Sequence, residues 1–261
     1  MLPFFLGPRL APVTTFLAAG LLSSTGAAAL AALTAGVVTA TASDTAANLA
    51  GMTIGATDAI TMTVTAGAVT AANLNTANGL GAGVLNASAA TSITGTASAL
   101  ATLKAAVDAG EVTIAANVAV TISDTPTLTQ LATIDAMTTG AVSYTSVSGA
   151  IADLLSSAYI TGTENVTVTD GATITQLFTL DGLTSGTLTY AVSDSAANLI
   201  GNSGGYVTGA NATVTGAATA AQLVSIDAIA ATVTATSVSD TAANVAAVIA
   251  GCLVASVPCK K

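Results

Sequence analysis

The sequence predicts an α/β fold, an elongated solenoid of stacked strand-plus-short-helix coils, on three observations. The first is a period: Gln130-Leu131, Gln176-Leu177 and Gln222-Leu223 recur at steps of 46 residues, as do Asp135, Asp181 and Asp227. Self-similarity at such a step marks a solenoid, a propeller or an array. The second is a heptapeptide, SDTAANL at 43–49, which returns as SDSAANL at 193–199 and SDTAANV at 239–245. The third is composition: 52% of residues are hydrophobic but only 3% aromatic, with no Trp. Small and β-branched side chains suit thin, regularly stacked layers rather than a thick core.

The repeat is clearest over 166–200, VTVTDGATITQLFTLDGLTSGTLTYAVSDSAANLI. It reads as two coils, so there are about two coils per 46-residue repeat. The first has a strand (166–169), a cap at Asp170, a helix (172–183) and a turn at Thr184-Ser185-Gly186. The second has a strand (187–192), a cap at Asp194, a short helix (196–200) and a variable loop, GNSGG at 201–205. One coil is therefore roughly 20 to 25 residues, a length typical of stacked strand-plus-helix coils. Copies follow from Val118 and Ala212, and a degraded one from Thr61 puts Asn73 in place of Gln and Asn78 in place of Asp.

Each element has a physical warrant. Val-Thr-Val-Thr alternation sends methyl-rich side chains to one face and threonines to the other, the mark of a half-buried strand. After the strand, Asp44, Asp124, Asp170, Asp194 and Asp240 stand where a carboxylate accepts from the free N–H groups of a helix start. Pro126 falls where the first helical turn does not use its N–H. Apolar residues then recur at every third position, as in Ile174, Leu177, Leu180 and Leu183. Threes drift around an α-helix, which predicts one or two turns that tighten toward the following turn. Asn48, Asn198 and Asn244 share one repeat position and are expected to satisfy backbone groups at the corner between helix and strand.

The chain divides into an apolar N-terminal segment (1–35), a repeat solenoid (36–251) and a Cys-containing tail (252–261). Arg9 precedes LAPVTTFLAAGLLSSTGAAALAALTA, which carries no charge. Three readings stand for it: a secretory signal peptide, a helical cap over the open end of the stack, or a membrane anchor if residues 10–35 are retained. Cys252 and Cys259 fit one disulfide that staples the tail in an oxidising compartment, or a pair of free thiols.

Four basic residues against a net charge of −9 leave no patch able to neutralise a phosphate backbone, which argues against nucleic acid as a partner. There is no His, and the carboxylates follow the repeat register, so no catalytic set emerges and an enzyme is not expected. No cofactor is expected either, apart from calcium. Asp135, Asp181 and Asp227 are the calcium candidates, because a hard cation wants several oxygens. Against them stands the spacing: equivalent carboxylates two coils apart lie roughly 10 Å from each other. Threonine runs (Thr61, Thr63, Thr65; Thr167, Thr169; Thr213, Thr215; Thr232, Thr234, Thr236) offer a polar strand face, with TxT spacing like that of ice-binding solenoids. Asn86-Ala-Ser, Asn165-Val-Thr and Asn211-Ala-Thr match the glycosylation sequon, a short pattern.

In these residues, SDTAANL units alternating with ATxxQLxxIDAxTxG units over about 38–250, the chain resembles the repeat regions of large bacterial cell-surface and exported proteins, marine cyanobacterial ones especially. The resemblance implies a secreted, non-enzymatic structural or adhesive role at the cell surface or outside the cell. Other copies of the chain, or surface polymers, are the partners it implies.

Overall fold

The computed structural model describes residues 15–33, 36–81 and 83–254. The chain forms two compact bodies, Met1–Asp124 with Thr129–Tyr144 and Thr125–Leu128 with Thr145–Lys261. Both are α/β, and both are built from rungs, a rung being a strand or strand pair followed by a short helix.

In the first body, β1 (Thr15–Leu22) leads into α1 (Ser24–Ala32) and β2 (Val37–Asp44) into α2 (Ala46–Ala50). The next rungs bend their strand in two. β3 (Ala59–Val64) and β4 (Gly67–Thr70) precede α3 (Ala71–Asn78), and β5 (Leu85–Ala87) and β6 (Ala90–Gly95) precede α4 (Ala97–Asp108). Then β7 (Val112–Ile114) and β8 (Ala119–Ile122) precede α5 (Leu128–Asp135), and β9 (Val142–Ser143) follows. The leading strands form one parallel sheet, β1-β2-β3-β5-β7, and the trailing strands another, β4-β6-β8-β9.

The second body has β10 (Ser146–Gly149) with α6 (Ile151–Leu155), β11 (Asn165–Ala172) with α7 (Ile174–Asp181) and β12 (Leu188–Ser195) with α8 (Ala196–Gly201). β13 (Asn211–Ala218) with α9 (Ala220–Asp227) and β14 (Thr232–Val238) with α10 (Ala242–Val254) complete it. Its five strands pair in chain order, all parallel. Parallel neighbours need a crossover, and here each helix supplies one. Paired residues are 19 apart at Ser146 and Asn165 and 27 apart at Leu85 and Val112, which brackets the coil length expected.

The core is thin, as the composition requires. Val166, Val168 and Ala172 of β11 and Ile174, Leu177 and Leu180 of α7 are all buried. A fully buried Leu contributes about 1.5–3 kcal/mol, so single-layer Leu and Val rows sustain each rung. Glycine permits close stacking at the strand entrance: a Cβ on Gly186 would run into the Glu164 carbonyl of the preceding rung, and one on Gly140 into that of Asn117.

Three expectations need correction. The helix expected over 172–183 starts at Ile174, and Asp170 belongs to β11, because Thr173 and Gln176 form a capping box that fixes the start. The helix ends at Asp181, leaving Leu183 outside and 40% exposed; two turns are too short for spacing by three to drift off the core. The apolar N-terminal segment is no single helix. Thr15–Leu22 is a strand paired with β2, and the Ser23 hydroxyl, accepting from Gly26 N–H, starts a separate nine-residue helix.

Candidate functional site

The five aspartates read as caps occupy one structural position, and it differs from the one expected. The helix that follows each SDTAAN corner is capped by the next residue: the hydroxyls of Thr45, Ser195 and Thr241 accept from the N–H groups of Asn48, Asn198 and Asn244. The carboxylates reach backward instead. Asp44 accepts from Ser24 N–H (3.2 Å), Asp124 from Ala97 (2.8 Å) and Asp170 from Ile151 (2.8 Å). Asp194 accepts from Ile174 (3.1 Å) and Asp240 from Ala220 (3.0 Å). In every case the donor is the first helical residue of an earlier rung, 19 to 27 positions back. α6 shows the value of this: its own N-cap, Ala150, has no side chain to offer, and Asp170 supplies the acceptor.

In the three SDxAAN copies the carboxylate holds both rungs at once. One oxygen takes the bond from the earlier helix, and the other accepts from Thr45, Ser195 or Thr241 N–H at 2.7–2.8 Å. The same oxygen accepts the amide of Asn48 (2.7 Å), Asn198 (2.8 Å) or Asn244 (2.6 Å). The asparagines therefore orient the carboxylates rather than satisfying backbone groups. Carboxylates at a helix N-terminus also meet the positive end of its dipole.

Electrostatics follows from these bonds. The Ser24 hydroxyl, then the Asn48 amide and Thr45 N–H, hold Asp44 down at about 2. Asp240 is lowered by Asn244, Thr241 and Ala220 in the same way. Glu164, buried at the entrance to β11, is pushed up by burial but held at about 2 by the Thr161 hydroxyl and by backbone N–H groups including those of Thr161 and Gly162. Its main-chain carbonyl accepts the buried Thr184 hydroxyl at 2.7 Å, one more tie between successive rungs.

The outward strand faces carry ladders of hydroxyls and amides. Ser43, Thr63, Asn86 and Thr113 stand side by side across β2, β3, β5 and β7. Ser193, Thr213 and Thr234 do so across β12, β13 and β14. Asn211 accepts the Thr232 hydroxyl, and Asn165 accepts Thr187 N–H, so both sequon asparagines in the second body join this polar face.

Asp135, Asp181 and Asp227 each end a helix and are exposed. Asp181 accepts the Tyr206 hydroxyl at 3.1 Å, and Tyr206 meets Tyr190 edge-on with ring centres 6.1 Å apart. Burial, then Asp181, raises both tyrosines above their ordinary value. Among the described residues no group of three or more metal-ligating side chains comes together. Grooves on the helix layers of the described residues include one of about 410 Å³ between α7 and α8 beside the exposed Phe178 and one of about 660 Å³ between α1 and α2; no ionisable side chain lines either of these. No helix among the described residues is long and apolar enough to cross a membrane. Cys259 lies outside the described residues, as does the side chain of Cys252.

The capping boxes Thr173/Gln176 and Thr219/Gln222 were missed in the sequence, although Ser/Thr-x-x-Gln before an apolar run is a readable signal. They explain Gln176 and Gln222. Comparison with protein-family models, with curated proteins and with solved structures returns no match.

Proposed function

We propose that the chain is a non-enzymatic structural repeat protein of the bacterial cell surface or extracellular space, an elongated α/β solenoid that self-associates or forms fibres. The observation that carries the reading is the backward-reaching carboxylate. Asp44, Asp124, Asp170, Asp194 and Asp240, five of the thirteen acidic residues, are spent on joining one rung to an earlier one. Open strand edges at the two ends of such a stack must be capped or paired, and pairing with other copies is the fibre-forming route. The cell-surface assignment rests on the resemblance of the SDTAANL and ATxxQLxxIDAxTxG units to exported repeat proteins.

Light scattering over a concentration range, with and without chelator, tests this. Growth of mass with concentration that ignores chelator supports assembly; a monodisperse 24.8 kDa species counts against it. Loss of folding on chelation would make calcium part of the fold. Mass spectrometry of the mature N-terminus separates a cleaved signal from a retained cap or anchor.

A second reading is favoured by the hydroxyl ladders: an adhesin or ligand-binding module that uses the Thr-rich strand face for carbohydrate or ice. The ladder Ser43, Thr63, Asn86 and Thr113 spans four parallel strands, a regular array of hydrogen-bonding groups. Thermal hysteresis of freezing tests the ice form, and retention on insoluble polysaccharide tests the other.

A further inference from the structure

The SDxAAN rung occurs three times, and its surroundings differ in one copy. In β2 and β12 the strand runs to Asp44 and to Ser195 and is followed by another strand. In β14 it stops at Val238, three residues short of Thr241, the counterpart of Ser195, and among the described residues β14 is the edge of its sheet. Side chains differ accordingly. Ala42 and Val192 are 0% exposed, whereas their counterpart Val238 is 51% exposed. Ala46 and Ala196, Leu49 and Leu199 are buried, whereas Ala242 is exposed and Val245 half-buried. The last described rung thus has the core residues of an interior rung without the neighbour that covers them.

The rung that follows SDSAAN inside the second body has a bulged strand, β13, paired with β12 without any shift from Val192↔Ala212 to Ser195↔Thr215. β1 is built in the same way. It carries extra residues against β2, as β11 does against β12 and β13 against β14. Gly20 and Gly216 share positive φ at the same offset from the N-caps Ser23 and Thr219. Among the described residues β1 is also a sheet edge, paired only with β2.

We infer that β14 of one copy takes β1 of a second copy in parallel, in the register that β12 uses for β13, so that the backbone of Val238 pairs with that of Phe16 and the backbone of Thr241 with that of Ala19. This rests on the self-association proposed above and names its surfaces. The contact is heterologous, so it propagates rather than closing as a dimer. Bulged and SDxAAN rungs alternate across the junction as they do within the second body.

The test is a charge at the uncovered core position. Val238→Lys leaves the single copy intact, because that side chain is half in water already, and abolishes growth of mass in light scattering. A second block is Val238→Pro. Ser239 N–H donates to Ala218, so by strand alternation Val238 N–H points away from β13, and proline removes an edge donor inside the proposed register without breaking the inner ladder. Both variants keep β1, so either one mixed into wild type adds to a growing end and stops it: one variant per ten wild-type copies cuts the average mass several-fold. Variants that assemble like wild type overturn the inference while leaving self-association standing. So do variants that are simply excluded from wild-type assemblies, since that is the behaviour of a symmetric β14–β14 contact. Wild type that stays a single 24.8 kDa species overturns both.

Discussion

Asp194→Ala should cost far more than its place at a strand end suggests. Asp194 is 8% exposed and accepts three bonds: Ile174 N–H at 3.1 Å, Ser195 N–H at 2.7 Å and the Asn198 amide at 2.8 Å. Truncation leaves the buried Ile174 amide without its acceptor, about 1–3 kcal/mol for an orphaned buried donor. Ser195 and Asn198 sit nearer to water and recover part of their loss by solvation, adding about 0.5–1 kcal/mol together. The total is about 1.5–4 kcal/mol. Urea unfolding followed by tyrosine fluorescence reports it, because Tyr159, Tyr190 and Tyr206 all belong to the second body. Hydrogen exchange at the start of α7 should accelerate in parallel. Asp227→Ala is the control: that carboxylate ends a helix, where the dipole does not favour it, and removal should change stability by less than about 0.5 kcal/mol. The rung-to-rung account fails if Asp194→Ala unfolds within about 0.5 kcal/mol of wild type, or if both variants lose the same amount.

Acid should loosen both bodies in one window. Asp44 and Glu164 are depressed to about 2 from ordinary values of 3.8 and 4.5, so the unfolded chain binds more protons between those limits. Their stabilisation is complete above about pH 4.5 and is lost as pH falls toward 2, which an acid titration by circular dichroism measures. At the other extreme, Tyr190 and Tyr206 are raised, so the folded state holds their protons more tightly than the unfolded chain. Their contribution is intact below pH 10 and fades above it; absorbance at 295 nm should show two tyrosines titrating late, and early only after unfolding. Gly186→Ala should destabilise the second body by about 1–3 kcal/mol by forcing rungs apart, whereas Gly201→Ala, with open space around its Cβ, should be neutral or mildly stabilising in a thermal melt.

Much of the local architecture was legible because repetition multiplies weak signals. The strand and helix around SDSAAN were expected at 187–192 and 196–200, and they occur at Leu188–Ser195 and Ala196–Gly201. Here the helix start is local: the Ser195 hydroxyl caps its own helix and two alanines follow. What could not be read was which helix each aspartate serves. Asp170 and Ile151 are 19 residues apart, and only the pairing of β10 with β11 makes them neighbours. The N-terminal segment misled for a related reason. Its apolar run fits a helix by composition, but pairing with β2 makes Thr15–Leu22 a strand, a tertiary preference that overrides propensity. The exposed Val238 was invisible as well, since its sequence context matches that of the buried Val192.

Hydrogen exchange at low and high protein concentration tests the open last rung most directly. If a second copy completes it, amides over 238–241 gain protection as concentration rises, while those of β12 over 192–195, already paired with β13, stay unchanged. Mass that grows with concentration while 238–241 exchanges as fast as in the single copy would contradict the account.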